Sequence, residues 1–70
     1  MHVIMDGERV TRLREEQGLS KKALAEKANV TQATIARAED SRPMYPETAR
    51  LLGAALGVDP RVLGERSRRS

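Results

Sequence analysis

The stretch KKALAEKANVTQATIARAED, Lys21 to Asp40, decides how this chain folds. It divides at Asn29 into two short amphipathic segments. Ser20 precedes the first and Thr31 the second. Both are strong N-caps, because a hydroxyl oxygen can accept from the N–H groups left free in a first helical turn. Asparagine tolerates the left-handed backbone conformation better than most residues, so Asn29 can turn the chain sharply. Leu24, Ala25 and Ala28 share one side of the first segment. In the second, counting about 100° per residue from Gln32 places Ala36, Ala33 and Arg37 at roughly 40°, 100° and 140°. Ile35, Ala38 and Glu39 fall on the opposite arc, between roughly 240° and 340°. One face is core and the other is free. That is the layout of a helix-turn-helix, whose second helix can meet base edges.

The flanking sequence extends this pattern into a small domain. Asp6 can cap a helix running to about Gln17, with Val10 and Leu13 inward and Glu8, Arg12, Glu15 and Glu16 in water. Gly18 is suited to ending it. Residues 1–5, MHVIM, form an apolar lead-in that is either an ordered cap or a frayed end. Beyond Asp40, Ser41 to Tyr45 reads as a loop punctuated by Pro43. Pro46 suits the first position of a fourth helix reaching Leu56, with Ala49, Leu52 and Leu56 inward. Gly57 ends it and Val58 turns back to the core. Asp59-Pro60 opens a short fifth helix with Val62 and Leu63, closed by Gly64. The expected fold is all-α: a compact five-helix domain over 6–64, without strands, followed by a disordered basic tail at 65–70.

Composition narrows the function. Seventy residues make one domain with a small core. With no cysteine, neither a disulfide nor a Cys-ligated zinc can staple it. With one tyrosine and no phenylalanine or tryptophan, the core must be aliphatic. The net charge is +3, and position matters more than the total. Lys21, Lys22, Arg37, Arg42, Arg66, Arg68 and Arg69 lie apart from Asp6, Glu8, Glu15, Glu16 and Glu26, which fits a polyanionic partner. No run approaches membrane-spanning length, and MHVIM is too short for a signal peptide, so a cytoplasmic, nucleoid-associated protein is expected. His2 without a second histidine or a cysteine is a poor metal candidate, and no catalytic set or phosphate loop is present. The expectation is a binding protein without cofactor or metal.

The free face of the third helix supplies the chemistry. Arg37 can donate a bidentate pair to guanine O6 and N7, and Gln32 can bond adenine N6 and N7. Ala33 and Ala36 let the helix sink into the groove, and either can touch a thymine methyl. Lys21 and Lys22 open the second helix, where free N–H groups and the helix dipole favour phosphate. Thr31, Thr34 and Arg42 are further phosphate candidates.

At this point the chain resembles the lambda-repressor-like, Cro/XRE-type helix-turn-helix DNA-binding family. The likeness runs from about Gly7 to Leu63. It rests on Leu13-Arg14-Glu15-Glu16-Gln17-Gly18-Leu19-Ser20, then Leu24-Ala25, Asn29-Val30-Thr31, Ile35, Glu39, Pro46 and Ala55-Leu56-Gly57-Val58. The resemblance implies a five-helix fold, a third helix in the major groove, a role in transcription, and an Arg14–Glu39 pair tying helix one to helix three. The chain departs from the pattern at Lys21 (usually Gln), at Asn29 and Ser41 (usually Gly), and at Gly53 (usually Ala). In a helix interior Gly53 costs roughly 1 kcal/mol.

These readings converge on a sequence-specific regulator of double-stranded DNA, binding a two-fold operator as a homodimer that forms off DNA or only on it. Leu51, Met44 and Tyr45 are candidates for an exposed apolar patch. Two other partner readings stay open: an antitoxin that binds a toxin and represses its own operon, and a module acting through RNA polymerase.

Overall fold

The computed structural model describes residues 2–64. Its helices are α1 (Gly7–Glu16), α2 (Lys21–Ala28), α3 (Gln32–Glu39), α4 (Pro46–Leu56) and α5 (Pro60–Leu63). The expected caps are formed. Asp6 accepts from the Arg9 N–H at 3.3 Å, Ser20 from Ala23 at 3.0 Å and Thr31 from Thr34 at 3.2 Å. Asn29 takes the left-handed turn between α2 and α3, at φ 60° and ψ 44°. Met1 and the 65–70 tail, with its expected disorder, lie outside the described residues.

The core is aliphatic. Val10, Leu24, Ile35, Leu52 and Leu63 are fully buried, and Ala25, Ala28, Ala38, Ala49 and Ala55 fill the narrow spaces between helices. Each fully buried leucine or isoleucine contributes about 1.5–3 kcal/mol. Leu13, Leu19, Val30 and Val58 close the rim half-buried. α2 packs on α3 and α4, and α1 on α3, so α3 rests on two neighbours. Gln17 Nε2 donates to the Leu56 carbonyl at 2.8 Å, joining the end of α1 to the end of α4.

The expectation of no strands is corrected. Val3–Ile4 (β1) pairs antiparallel with Pro43–Met44 (β2), with Val3 opposite Met44 and Ile4 opposite Pro43. A strand of two residues is too short to leave a periodic signature, so the stretch 41–45 reads as pure loop in the sequence. The ribbon settles Val3 to Met5 of the lead-in as an ordered cap: Met5 is buried, bridges to Gly64, and is followed by an Asp6 N–H that donates to the Leu63 carbonyl at 2.6 Å. Strand alternation also corrects the expected apolar patch. Met44 points into the core, whereas its neighbour Tyr45 is 61% exposed. Leu51 is exposed as expected, but Met44 is not available beside it.

Gly53 has a reason that propensity does not reveal. A Cβ there would lie 2.9 Å from the Val58 carbonyl oxygen and 3.1 Å from Pro60. The Val58 N–H bonds the Gly53 carbonyl at 2.9 Å. The missing side chain lets the α4–α5 corner close onto α4.

Candidate nucleic-acid interface

α3 is presented by a clamp on its inner side. Arg14 Nε donates to Glu39 Oε2 at 2.5 Å, and Arg14 Nη1 to the Leu19 carbonyl at 2.9 Å. Both side chains of the pair are largely buried, 12% and 9% exposed. The hydrogen bond to Glu39 is the main cause that holds the Arg14 guanidinium above its ordinary range, against the opposing effect of burial. One residue thus fixes the end of α3 and the turn into α2.

Gly7 completes the clamp. A Cβ at Gly7 would run into the Glu39 carbonyl oxygen. Its N–H donates to Ser41 Oγ at 3.0 Å. Ser41 sits at φ 54°, a conformation suited to glycine, and its hydroxyl serves Gly7 instead. Spacing alone did not single out Gly7. The signals present were a glycine opening a helix and a serine standing where the family usually has glycine.

The outer side of α3 is open. Gln32, Ala33, Ala36 and Arg37 are all exposed, while Ile35 and Ala38 beneath them are buried. Among the described residues, neither Gln32 nor Arg37 has a side-chain hydrogen-bond partner, so both present their full donor sets to solvent. Of the phosphate candidates, Lys21 and Lys22 are exposed at the start of α2, whose first turn carries no acid. Thr31 Oγ1 is engaged as the cap of α3 and lies 3.0 Å from Thr34 Oγ1. Arg42 is exposed but lies 3.5 Å from Asp40, which offsets its charge locally. Lys21 and Lys22 therefore offer an undiluted positive charge, and Arg42 a partly neutralised one.

The comparisons agree with this geometry. A family model described as a helix-turn-helix domain matches residues 7–67. The chain belongs to that family: it is a helix-turn-helix DNA-binding domain of the Cro/XRE type. Among solved structures, a chain of a SinR protein/SinI protein complex superimposes with a TM-score of 0.76 at 29% identity. The match covers 91% of this chain and 64% of that one, so this chain spans less than two thirds of its structural neighbour. No curated protein matches. Among the described residues no helix is long and apolar enough to cross a membrane.

Proposed function

We propose that this chain is a sequence-specific transcriptional regulator that lays α3 in the major groove of double-stranded DNA, as a homodimer on a two-fold operator. The observation that carries the reading is the division of α3. Its inner side is locked by Arg14, Glu39 and Gly7, and its outer side holds Gln32, Ala33, Ala36 and Arg37 free. In this reading Gln32 and Arg37 bond base edges and the two alanines set the approach. Lys21, Lys22, Thr31, Thr34 and Arg42 hold the phosphate backbone. It is a binding module rather than an enzyme.

With only two long polar side chains to read bases, one protomer has a short half-site. Useful specificity then needs a second protomer or sequence-dependent DNA shape. Selection from a random DNA pool, followed by titration of the enriched fragment, tests this. The expected product is a pair of short half-sites about 10 bp apart, or a multiple of that spacing. Recovery of unenriched sequence, with affinity equal to that for random DNA, would sink the reading.

A second reading, an antitoxin-type protein that binds a partner and represses its own operon, draws support from the solved neighbour, which is in complex with another protein. Copurification of a stable stoichiometric partner encoded beside this chain supports it. Isolation as a lone protein with full operator affinity counts against it.

A further inference from the structure

A groove of about 250 Å³ opens between β1, the first half of α4 and the start of α5, and no residue of α1, α2 or α3 lines it. Its lining is mostly apolar, with Ile4, Pro46, Ala49 and Pro60 among its walls. Neither proline has an N–H to turn toward the groove. Ile4 stays 39% exposed although it belongs to the ribbon. Two arginines, Arg50 and Arg61, join the lining, and no carboxylate does. Against apolar walls an arginine lays down its methylene stem and keeps its guanidinium at the rim, in water. Among the described residues the Arg50 guanidinium has no ion-pair partner, whereas that of Arg61 lies 3.2 Å from Asp59. Gly64 forms the edge of the groove, and the sequence that follows it carries Arg66, Arg68 and Arg69.

We propose that this groove docks a short acidic segment of a partner protein. One apolar side chain of that segment fills the groove, and carboxylates flanking it meet Arg50 and Arg61. Size, apolarity and charge together select this occupant. The volume is below the roughly 300–1,000 Å³ of small-molecule sites and suits a single anchoring side chain. A guanidinium at the rim can take a carboxylate through two parallel bonds. A second copy of this chain fits badly. A two-fold contact of groove on groove sets each arginine near its own counterpart. One exposed isoleucine beside a small groove also falls far short of the roughly 1,200–2,000 Å² of a stable interface. The chain's own 65–70 segment has no apolar residue to place in the groove and would set arginine against arginine. Because α2 and α3 do not line the groove, the partner and DNA are held by separate residues. The assignment goes beyond the DNA-binding reading and does not depend on it.

The test titrates the full chain with a labelled peptide in which one leucine stands between pairs of glutamates, followed by fluorescence anisotropy and amide chemical shifts. Control peptides replace the glutamates by glutamine or by lysine, or the leucine by serine. The first peptide is expected to bind about tenfold tighter than each control, to weaken as salt rises, and to shift the amides of Ile4, Ala49 and Arg50. Ile4→Ser and Arg50→Ala each weaken it about three- to tenfold. Arg50→Glu narrows the preference for glutamate over lysine by about tenfold, a change that a merely structural role would not produce. The melting temperature of Arg50→Ala stays within about a degree or two of the parent, because that side chain has no ion-pair partner to lose. Lys21→Ala leaves peptide affinity unchanged, and Ile4→Ser leaves affinity for the selected DNA fragment unchanged. Equal binding of all the peptides, or shifts confined to α3, overturns the groove. Nuclear Overhauser contacts from residues 65–70 to Val3 or Ala49 in the free protein assign the groove to the chain's own tail and overturn the partner. A dimer in sedimentation that Ile4→Ser abolishes assigns it to a second copy and overturns the partner equally. The expected peptide binding in a chain that prefers no DNA supports the groove while sinking the DNA reading.

Discussion

Arg14 and Arg37 are the same residue type on the two sides of one helix, and they have opposite fates. Arg14 meets Glu39 and the Leu19 carbonyl, and it is nearly out of solvent. Arg37 lies in water, and among the described residues its guanidinium bonds nothing. The inner side of α3 spends its polar groups on the protein, and the outer side keeps them in reserve. A polar side chain that is satisfied internally holds α3 in place. One that the fold exposes without a partner is available to a ligand. The comparison therefore predicts that inner-side changes cost folding, and outer-side changes cost DNA binding while leaving folding intact.

The largest effect is expected on the inner side. Gly7→Ala drives a methyl group into the Glu39 carbonyl and disturbs the Ser41 bond as well. Overpacking against backbone of this kind costs about 3 kcal/mol or more. Arg14→Ala leaves Glu39 largely buried and unpaired. The pair is not wholly out of water, so the cost is about 2–4 kcal/mol, below that of a fully buried pair. Either loss is a large fraction of the stability of a small domain. Urea titration by circular dichroism measures both, and a midpoint unchanged for either variant breaks the inner half of the comparison.

On the outer side, Arg37→Ala is expected to leave stability within about 0.5 kcal/mol of the parent. Its affinity for the selected operator falls by about 1–3 kcal/mol, with preference relaxed at one base pair per half-site. Competition titration against operators carrying each base at that position reports both. Undiminished discrimination at every position would remove Arg37 from base reading. Lys21→Ala should behave differently, lowering affinity on all sequences and reducing the slope of log affinity against log salt by about 0.9.

A smaller effect separates packing from propensity. Gly53→Ala gains up to about 1 kcal/mol of helix propensity but sets a methyl group against the Val58 carbonyl and Pro60. The net expectation is destabilisation of about 1 kcal/mol. A stabilised variant would show that the α4–α5 corner yields easily and that the glycine is dispensable.

What the sequence discloses and what it hides follow one physical rule. Helix starts and stops are local, so Asp6, Ser20, Thr31, Asn29 and Gly57 announce themselves through cap chemistry and permitted backbone angles. The exposed face of α3 follows from helical period and was legible too. The hidden features join distant segments. The β1–β2 ribbon, the burial of Met44, the Gly7–Ser41 contact and the role of Gly53 each depend on a partner far along the chain or across a corner. None leaves a repeat or a cap in its own neighbourhood. The pocket lined by His2, Arg37, Tyr45 and Thr48 has the same origin, since the β1–β2 ribbon is what brings His2 beside Tyr45.

The smallest expected effect concerns a third kind of polar group, satisfied yet exposed. Asp59 caps α5 by accepting from the Arg61 N–H at 2.9 Å, and its carboxylate also meets the Arg61 guanidinium at 3.2 Å. Chiefly through that side-chain contact, and then through the backbone bond, Arg61 holds the Asp59 carboxyl below its ordinary range. A carboxyl depressed in the folded state contributes stability above its unfolded value, near pH 4, and that contribution disappears as pH falls through the folded value. Asparagine caps about as well as aspartate at neutral pH but carries no titrating charge. Asp59→Asn should therefore match the parent closely at pH 7 and lose less stability on acidification below about pH 4. Melting temperatures of the two proteins from pH 7 to pH 3 give the comparison. Parallel curves throughout would mean that water screens the Asp59–Arg61 contact completely, leaving burial, rather than mere satisfaction, as what separates the inner side of α3 from every other polar surface of the domain.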